Sequence, residues 1–222
     1  MSTENKINDK KTRRDKILNA AEILFSEHGF DGVTMRQIAK LAGVDVALPN
    51  YYFNSKKGLF EATFHRRAVI LNTERTEALK KVLAKTEAKD AKLEDIIGAF
   101  LRPIQKAQDS QDQGWRAYCS LVAMINNSSI WGQEFMSGSF DELADRFIQA
   151  LKKSLPHANE KDIYWSYHFM SGALALTMAD TGRIDRLSNG LCHSGNLPEA
   201  YDKMIPFIAE GMRRICLDGE NK

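Results

Sequence analysis

The sequence predicts an all-α protein of about nine helices, and three observations carry that prediction. Apolar residues recur at three- and four-residue spacing along most of the 222-residue chain. No stretch shows the period-two alternation of a half-buried strand, and no internal repeat is visible. Gly, Pro and short polar runs fall between the periodic segments, where helices stop. Hydrophobic residues make up 43% of the chain, enough for a sizeable core, and the length allows one domain or two small ones.

Residues 1–11 are polar and are expected to fray. The first helix is expected over Thr12–His28, with Ile17, Ala21, Leu24, Phe25 and His28 on one buried stripe and Gly29 closing it. Lys10, Lys11, Arg13, Arg14 and Lys16 form a basic cluster at its start, and Phe30 and Val33 pack the loop beyond it. Thr34 can cap a second helix, with Gln37 as the reciprocal half of a capping box. Ile38, Ala39, Leu41 and Ala42 give that helix a small apolar face. Gly43 then sits where a left-handed backbone ends the helix, and Val44 is the buried residue of the turn. Asp45 can cap a third short helix carrying Leu48, Asn50, Tyr51 and Tyr52, with Phe53 packed in the three-helix core. Two short helices joined by a Gly turn present a recognition helix to the DNA major groove, so Thr34–Phe53 reads as a helix-turn-helix.

Ser55 is a candidate cap for a fourth helix with Lys56 and Lys57 in its first turn, where cations oppose the helix dipole and a phosphate partner is indicated. That helix continues through Leu59, Phe60, Phe64, Ile70 and Leu71 to about Lys85, a rod of roughly 30 residues and ~45 Å. Thr86–Lys92 is a polar link. Leu93, Ile96, Ile97, Phe100, Leu101 and Ile104 mark the next amphipathic helix, with a kink expected at Pro103. After a loop over Gln108–Gly114, Trp115–Asn126 is apolar on more than one side, as a buried helix should be. Asn127–Gly132 breaks the pattern and Phe135–Leu155 resumes it. Asn159 with Asp162 starts a helix running to about Asp180, and Thr181–Asn196 reads as a long loop. Pro198 opens a last helix that ends near Leu217 and should kink at Pro206.

The net charge of +2 is unevenly spread. Residues 1–57 hold ten Lys or Arg against seven Asp or Glu, and the remainder holds 21 against 22. Positive charge therefore gathers around the helix-turn-helix, as phosphate contact requires. Cys119, Cys192 and Cys216 are odd in number and lack CxxC spacing, so neither a disulfide framework nor a zinc site is expected. A reducing cytosol is the natural compartment. The first residues lack an apolar signal region, and the longest nearly apolar run, about Phe169–Ala179, falls short of the ~20 residues of a membrane span. A cytoplasmic protein without membrane, metal or cofactor is expected. No GxSxG, HExxH, P-loop or dinucleotide fingerprint is present, so no catalytic residue is assigned and no enzyme is expected.

The run from Thr12 to Phe60, TRRDKILNAAEILFSEHGFDGVTMRQIAKLAGVDVALPNYYFNSKKGLF, resembles the DNA-binding domain of TetR-family transcriptional regulators. The resemblance rests on AAxxLFxxxGF, the Thr before the second helix, IAxxAGV, a Tyr-aromatic-Phe ending to the third helix, and SKxxLF opening the fourth. Beyond about residue 60 only helix count and order match. The NYYF ending is similar to a subgroup with NYHF there, some of whose members sense fatty acids or acyl conjugates. Pro49 departs from the family, which usually has an aliphatic residue at that position. With Asp45 as cap, Pro49 would be the fourth helical residue and remove the first intrahelical bond, so the helix either starts later or opens as a 3₁₀ turn.

The resemblance implies a homodimer that sets its third helices in successive major grooves of a palindromic operator, about 34–36 Å apart, and most often a repressor released by a ligand. It divides the chain into a DNA-binding domain over 1–57 and an effector-binding and dimerisation domain over 58–222, linked by the fourth helix. By side-chain chemistry Asn50 is assigned to a base edge, and Val46 and Leu48 to thymine methyls. Thr34, Tyr51, Lys56 and Lys57 match phosphate-contacting positions, and Arg36 could reach backbone or base. Candidate effector residues are Phe100, Ile104, Trp115, Tyr118, Val122, Met136, Trp165, His168, Phe169 and Met178, an apolar and aromatic set that favours a small apolar or aromatic effector, a fatty-acid-like one included. Core packing is the competing account of each, and for His168 it is a satisfied core histidine. Dimerisation is expected on the last two helices, with Gly172, Ala173, Ala175 and Ala179 allowing close approach and Ile205, Ile208, Met212 and Ile215 as an apolar stripe. The alternative is a DNA-bound protein whose second domain grips another protein.

Overall fold

The computed structural model describes residues 3–85, 91–129 and 131–217, and the side chains of 12–85, 91–129 and 131–216. Among the described residues there are ten helices and no strand. They are α1 (Thr3–His28), α2 (Met35–Ala42), α3 (Leu48–Phe53), α4 (Lys56–Lys85), α5 (Leu93–Gln108), α6 (Gln113–Asn126), α7 (Gly132–Ser154), α8 (Glu160–Ala179), α9 (Arg183–Leu187) and α10 (Leu197–Leu217).

Helix α1 starts nine residues before the expected Thr12, so most of residues 1–11 continue the helix. The Lys10 and Lys11 side chains and positions 86–90 of the polar link lie outside the described residues. The loop expected over Thr181–Asn196 contains the one-turn helix α9. No apolar period announces α9. Asp185 ties the segment instead, its carboxylate accepting from the Ser194 backbone N–H at 2.6 Å and the Ser194 hydroxyl at 2.8 Å. Helices α5 and α10 continue through Pro103 and Pro206.

The first three helices enclose Ile17, Ala21, Phe25, Val33, Ile38 and Phe53, all buried. Two expected core members point outward instead: His28 and Leu41 are exposed. Each lies on the last turn of its helix, where the buried stripe has already rotated away from the core. Ile70 of α4 is likewise exposed. The capping box at the start of α2 is complete: the Gln37 N–H donates to Thr34 Oγ1 at 3.3 Å and the Thr34 N–H donates to Gln37 Oε1 at 2.8 Å. Gly43 ends α2 at φ +63°, a conformation that costs Gly nothing.

Helix α4 passes from this trihelical core into the bundle of α5–α8 and α10, burying Leu59, Phe60, Phe64 and Leu71 on the way. Phe60 is the joint. Its ring meets Phe25 at 4.9 Å and Phe30 at 5.2 Å on one side, and Phe135 at 5.2 Å on the other. Phe64 carries the contact onward to Phe140 and Tyr118, each 5.9 Å away. Within the bundle, Tyr201 of α10 donates to Gln108 Oε1 of α5 at 2.7 Å, a buried bond, and Arg213 grips Glu94 through two contacts of 2.6 and 2.7 Å.

Candidate nucleic-acid interface and effector cavity

The recognition segment differs from its expected form in one respect. Asp45 does not cap α3; its Oδ1 accepts from the Ala47 N–H at 2.8 Å, and the Leu48 N–H donates to the Asp45 carbonyl at 3.0 Å. These bonds make a turn over Val46 and Ala47, and α3 begins only at Leu48. Pro49 is then in the first turn of a six-residue helix, where its missing N–H has no intrahelical partner to lose. It is buried against the core.

Of the residues assigned to DNA, Arg36 and Val46 line one shallow surface groove between α2 and the turn. Thr34, Arg36, Val46, Asn50, Tyr51 and Lys57 are exposed, whereas Leu48 is half-buried and packs on the core. Val46 and Tyr51 are 55% and 65% exposed, so both are open to contact. Tyr52 is half-buried and Phe53 is buried under the Arg14 guanidinium, 5.1 Å from its ring centroid. The two lysines opening α4 have partners within the chain. Lys56 Nζ lies 4.4 Å from the centre of the Phe30 ring, and Lys57 Nζ donates to Glu134 of α7 at 2.8 Å. That hydrogen bond raises the Lys57 pKa above its ordinary value. Phe30 and Glu134 thus offset the dipole penalty that the sequence assigned to a phosphate.

A cavity of about 240 Å³ lies between α4, α5, α6, α7 and α8. Of the ten candidate effector residues, Phe100, Ile104, Tyr118, Val122, Met136, His168 and Met178 line it. Trp115, Trp165 and Phe169 do not. Trp115 stacks under the Arg67 guanidinium at 4.6 Å, and Trp165 and Phe169 are about half exposed on the outer face of α8. His168 is not a core histidine: it is exposed at the cavity edge, against Trp165. Sequence reading missed Arg75, Tyr167 and Ser171 in the lining, because polar residues on α4 and α8 gave no sign of pointing inward.

Arg75 is the most unusual of them. It is 3% exposed, its Nε donates to the Phe100 carbonyl at 2.8 Å, and its Nη2 has no hydrogen-bond partner. Burial lowers its pKa to about 10, so it remains a cation at neutral pH. The buried Tyr118 hydroxyl also lacks a partner, and burial pushes its pKa far up, keeping the phenol protonated.

Two structures join the cavity walls to the helix-turn-helix. One is the aromatic series through Phe60 and Phe64. The other is ionic. Glu22 of α1, 1% exposed, accepts from Arg67 Nε at 2.7 Å and Arg66 Nη2 at 3.1 Å, and Arg67 Nη1 donates to Asp112 at 2.9 Å. Asp112 in turn caps α6, accepting from the Gly114 N–H at 2.9 Å. Burial opposes the Arg67 charge, but hydrogen bonds to Glu22 and Asp112 outweigh it and raise the pKa; the same Arg67 bond holds Asp112 below the usual carboxylate range. A Cβ at Gly114 would stand 2.0 Å from Arg67 Nη2 and 2.6 Å from Glu22 Oε2, so a side chain there would push these ends aside.

The outer faces of α8 and α10 carry a second apolar feature. Trp165, Phe169, Gly172 and Leu176 follow one another at helical spacing on α8, and Phe207, Gly211 and Ile215 do so on α10; all are exposed. The stripe expected on α10 is mostly turned the other way, since Ile205, Ile208 and Met212 are buried in the bundle. Ala175 likewise faces the cavity rather than the surface. No described helix is long and apolar enough to cross a membrane.

A family model described as bacterial regulatory proteins, tetR family, matches residues 17–63, and one described as tetracyclin repressor-like, C-terminal domain, matches residues 98–211, just over half of the chain. The chain is 48% identical over 52 residues to the HTH-type transcriptional regulator YttP of Bacillus subtilis. It is 46% identical over 48 residues to IcaR, the negative regulator of the biofilm operon icaADBC in Staphylococcus aureus. These matches cover 23% and 22% of this chain and 25% and 26% of those proteins, about a quarter of each. The fatty acid degradation regulator FadR of Bacillus halodurans shares the fold at a TM-score of 0.65 and 15% identity, over 90% of this chain and 96% of that one. The hemolysin II regulator HlyIIR does so at 0.55 and 21%, over 87% and 97%. A recognition segment on one end, a helical bundle on the other and a family model matched to each lead to one statement: the chain belongs to the TetR family of bacterial transcriptional regulators.

Proposed function

We propose that the protein is a ligand-responsive repressor of the cytoplasm that binds a palindromic operator as a homodimer and lets go when a small apolar or aromatic molecule fills the bundle cavity. The observation that carries this is the sharing of helices. Helices α4 and α6 line the cavity, and the same two hold the helix-turn-helix, α4 by following α3 and α6 by packing on α1. A ligand shifts the DNA-binding equilibrium only by fitting one arrangement better than another. Occupancy that moves α6 would reach α1 through Asp112, Arg67 and Glu22, and occupancy that moves α4 would carry Lys56 and Lys57 with it. In this reading residues 1–57 read DNA, residues 58–222 sense and dimerise, and Thr34, Arg36, Val46, Leu48, Asn50, Tyr51, Lys56 and Lys57 face the duplex.

The exposed face of α8 and α10 supports the dimer. Phe207 at 77% and Leu176 at 71% exposure form part of an apolar surface that a second copy would cover, giving a four-helix contact. A mostly apolar cavity set between helices also favours a small molecule over a protein partner as the signal. Sedimentation of the purified protein and fluorescence anisotropy on duplex fragments test the reading together. A dimer retaining a subset of fragments, with affinity that falls steeply as salt rises, is expected. A monomer with no hold on duplex DNA at low ionic strength overturns it.

A further inference from the structure

The cavity wall holds hydrogen-bond donors that nothing in the chain answers. Arg75 uses Nε on the Phe100 carbonyl and lays its guanidinium 4.0 Å from the Phe100 ring centroid, but Nη2 is buried without a partner. The Tyr118 hydroxyl on α6 is buried in the same wall and equally unpartnered. The acidic lining residue, Asp141, is exposed and forms no ion pair with Arg75 among the described residues. A cation buried without a counter-ion is destabilising, and an unanswered buried donor adds to that. Folding has already stripped water from both groups, so an incoming acceptor meets little of that desolvation cost.

We infer that the cavity takes an organic anion with a carboxylate head and an apolar body, the head accepting from Arg75 Nη2 and the Tyr118 hydroxyl, the body against Ile104, Val122, Met136 and Met178. This rests on the reading of the cavity as the effector site. A guanidinium edge and a phenol both donate to a planar carboxylate, and charge-assisted bonds of this type are the strong ones. A phosphate monoester brings nearly two charges to a single cation and fits less well. A neutral alcohol of the same length offers Nη2 a single uncharged acceptor, so it forgoes the charge-assisted bond that a carboxylate makes. Size also bounds the ligand. A cavity of ~150 Å³ holds benzene, so one of about 240 Å³ holds about ten non-hydrogen atoms, the size of octanoate.

Titration calorimetry on the full chain tests this with hexanoate, octanoate and decanoate against the primary alcohols and primary amines of the same lengths. Octanoate should bind roughly ten- to a hundred-fold more tightly than its alcohol, and the amine should not bind measurably. Arg75→Gln should erase the preference for carboxylate over alcohol. Tyr118→Phe, which removes only a hydroxyl without a partner and so should fold normally, should weaken octanoate several-fold. Equal affinity for octanoate and its alcohol in the unaltered protein, or a preference that survives in a folded Arg75→Gln, overturns the carboxylate assignment while the sensing function stands. If no member of the panel binds a protein that still grips DNA, the carboxylate assignment falls.

Discussion

At the start of α2, polar groups lie outside and satisfy one another; in the bundle, Arg75 and Tyr118 lie inside and keep donors without a partner. Thr34 and Gln37 exchange three hydrogen bonds at the start of α2, with the Asp45 carboxylate closing the next turn, all in solvent. Arg75 and Tyr118 are buried around a void with donors left over. The first arrangement fixes one shape, which suits a surface that must match a duplex. The second leaves stability unclaimed, and a molecule entering the void can claim it. Rigidity at one end and incompleteness at the other are what a sensor needs, provided the ends are coupled.

Breaking the coupling core should have the largest effect. Phe60 is buried between Phe25, Phe30 and Phe135, so Phe60→Ala opens a hole where the two ends meet. We expect a loss of about 3–5 kcal/mol in urea unfolding. If the ends unfold separately in the variant, the comparison describes two modules in loose contact rather than one coupled body.

Next comes the ionic joint. Glu22→Ala leaves Arg66 and Arg67 beside a buried gap, with Asp112 as the remaining carboxylate partner of Arg67. A cost of about 3 kcal/mol is expected by thermal unfolding, because removing one member strands the others. A loss under ~0.5 kcal/mol, as an exposed pair would give, would mean that the joint is no more than surface decoration.

The recognition surface should respond more narrowly. Asn50 is exposed on α3 and makes no side-chain bond that folding needs, so Asn50→Ala should leave the melting curve in place. It should relax choice at one operator base pair, at about 1–3 kcal/mol. A uniform loss across all DNA sequences would reassign Asn50 from base to backbone.

Filling the void should cost little in stability and much in response. Val122→Phe adds volume on α6 where the cavity already has room, so unfolding should change by less than ~1 kcal/mol. DNA binding should persist and ligand release should vanish. If release survives, the ligand sits elsewhere.

The two ends also differ in how far the sequence exposes them. Capping signals, Gly43 and the Phe25 stripe are local, spaced by three or four residues, so the helix-turn-helix was readable almost to the residue. The turn at Asp45 was not, because an Asp caps a turn and a helix by the same chemistry and only Pro49 hinted at the later start. In the bundle the periodicity named the helices but not which apolar face looked inward. Trp165 and Phe169, expected in the cavity, lie outside it, and Ala175, expected at the dimer contact, faces the cavity. Arg75 was invisible because a basic residue on a long amphipathic helix is normally solvated, and its burial depends on α5, twenty-five residues away.

The smallest expected effect bears on the point where the two ends compete for one charge. Lys57 sits in the first turn of α4, directly after the recognition helix, and Glu134 in the first turn of α7 holds it at 2.8 Å. A phosphate must displace that carboxylate to use the lysine. Both side chains are about half exposed, so the pair is screened and weak. Glu134→Ala should therefore tighten binding to every duplex by about two- to five-fold at low salt, with the gain fading as salt rises. Lys57→Ala should weaken binding, and the double variant should match Lys57→Ala alone, since Glu134 acts through Lys57. If Glu134→Ala leaves affinity unchanged, Lys57 belongs to the bundle rather than the DNA surface, and the boundary between the two ends moves toward α3.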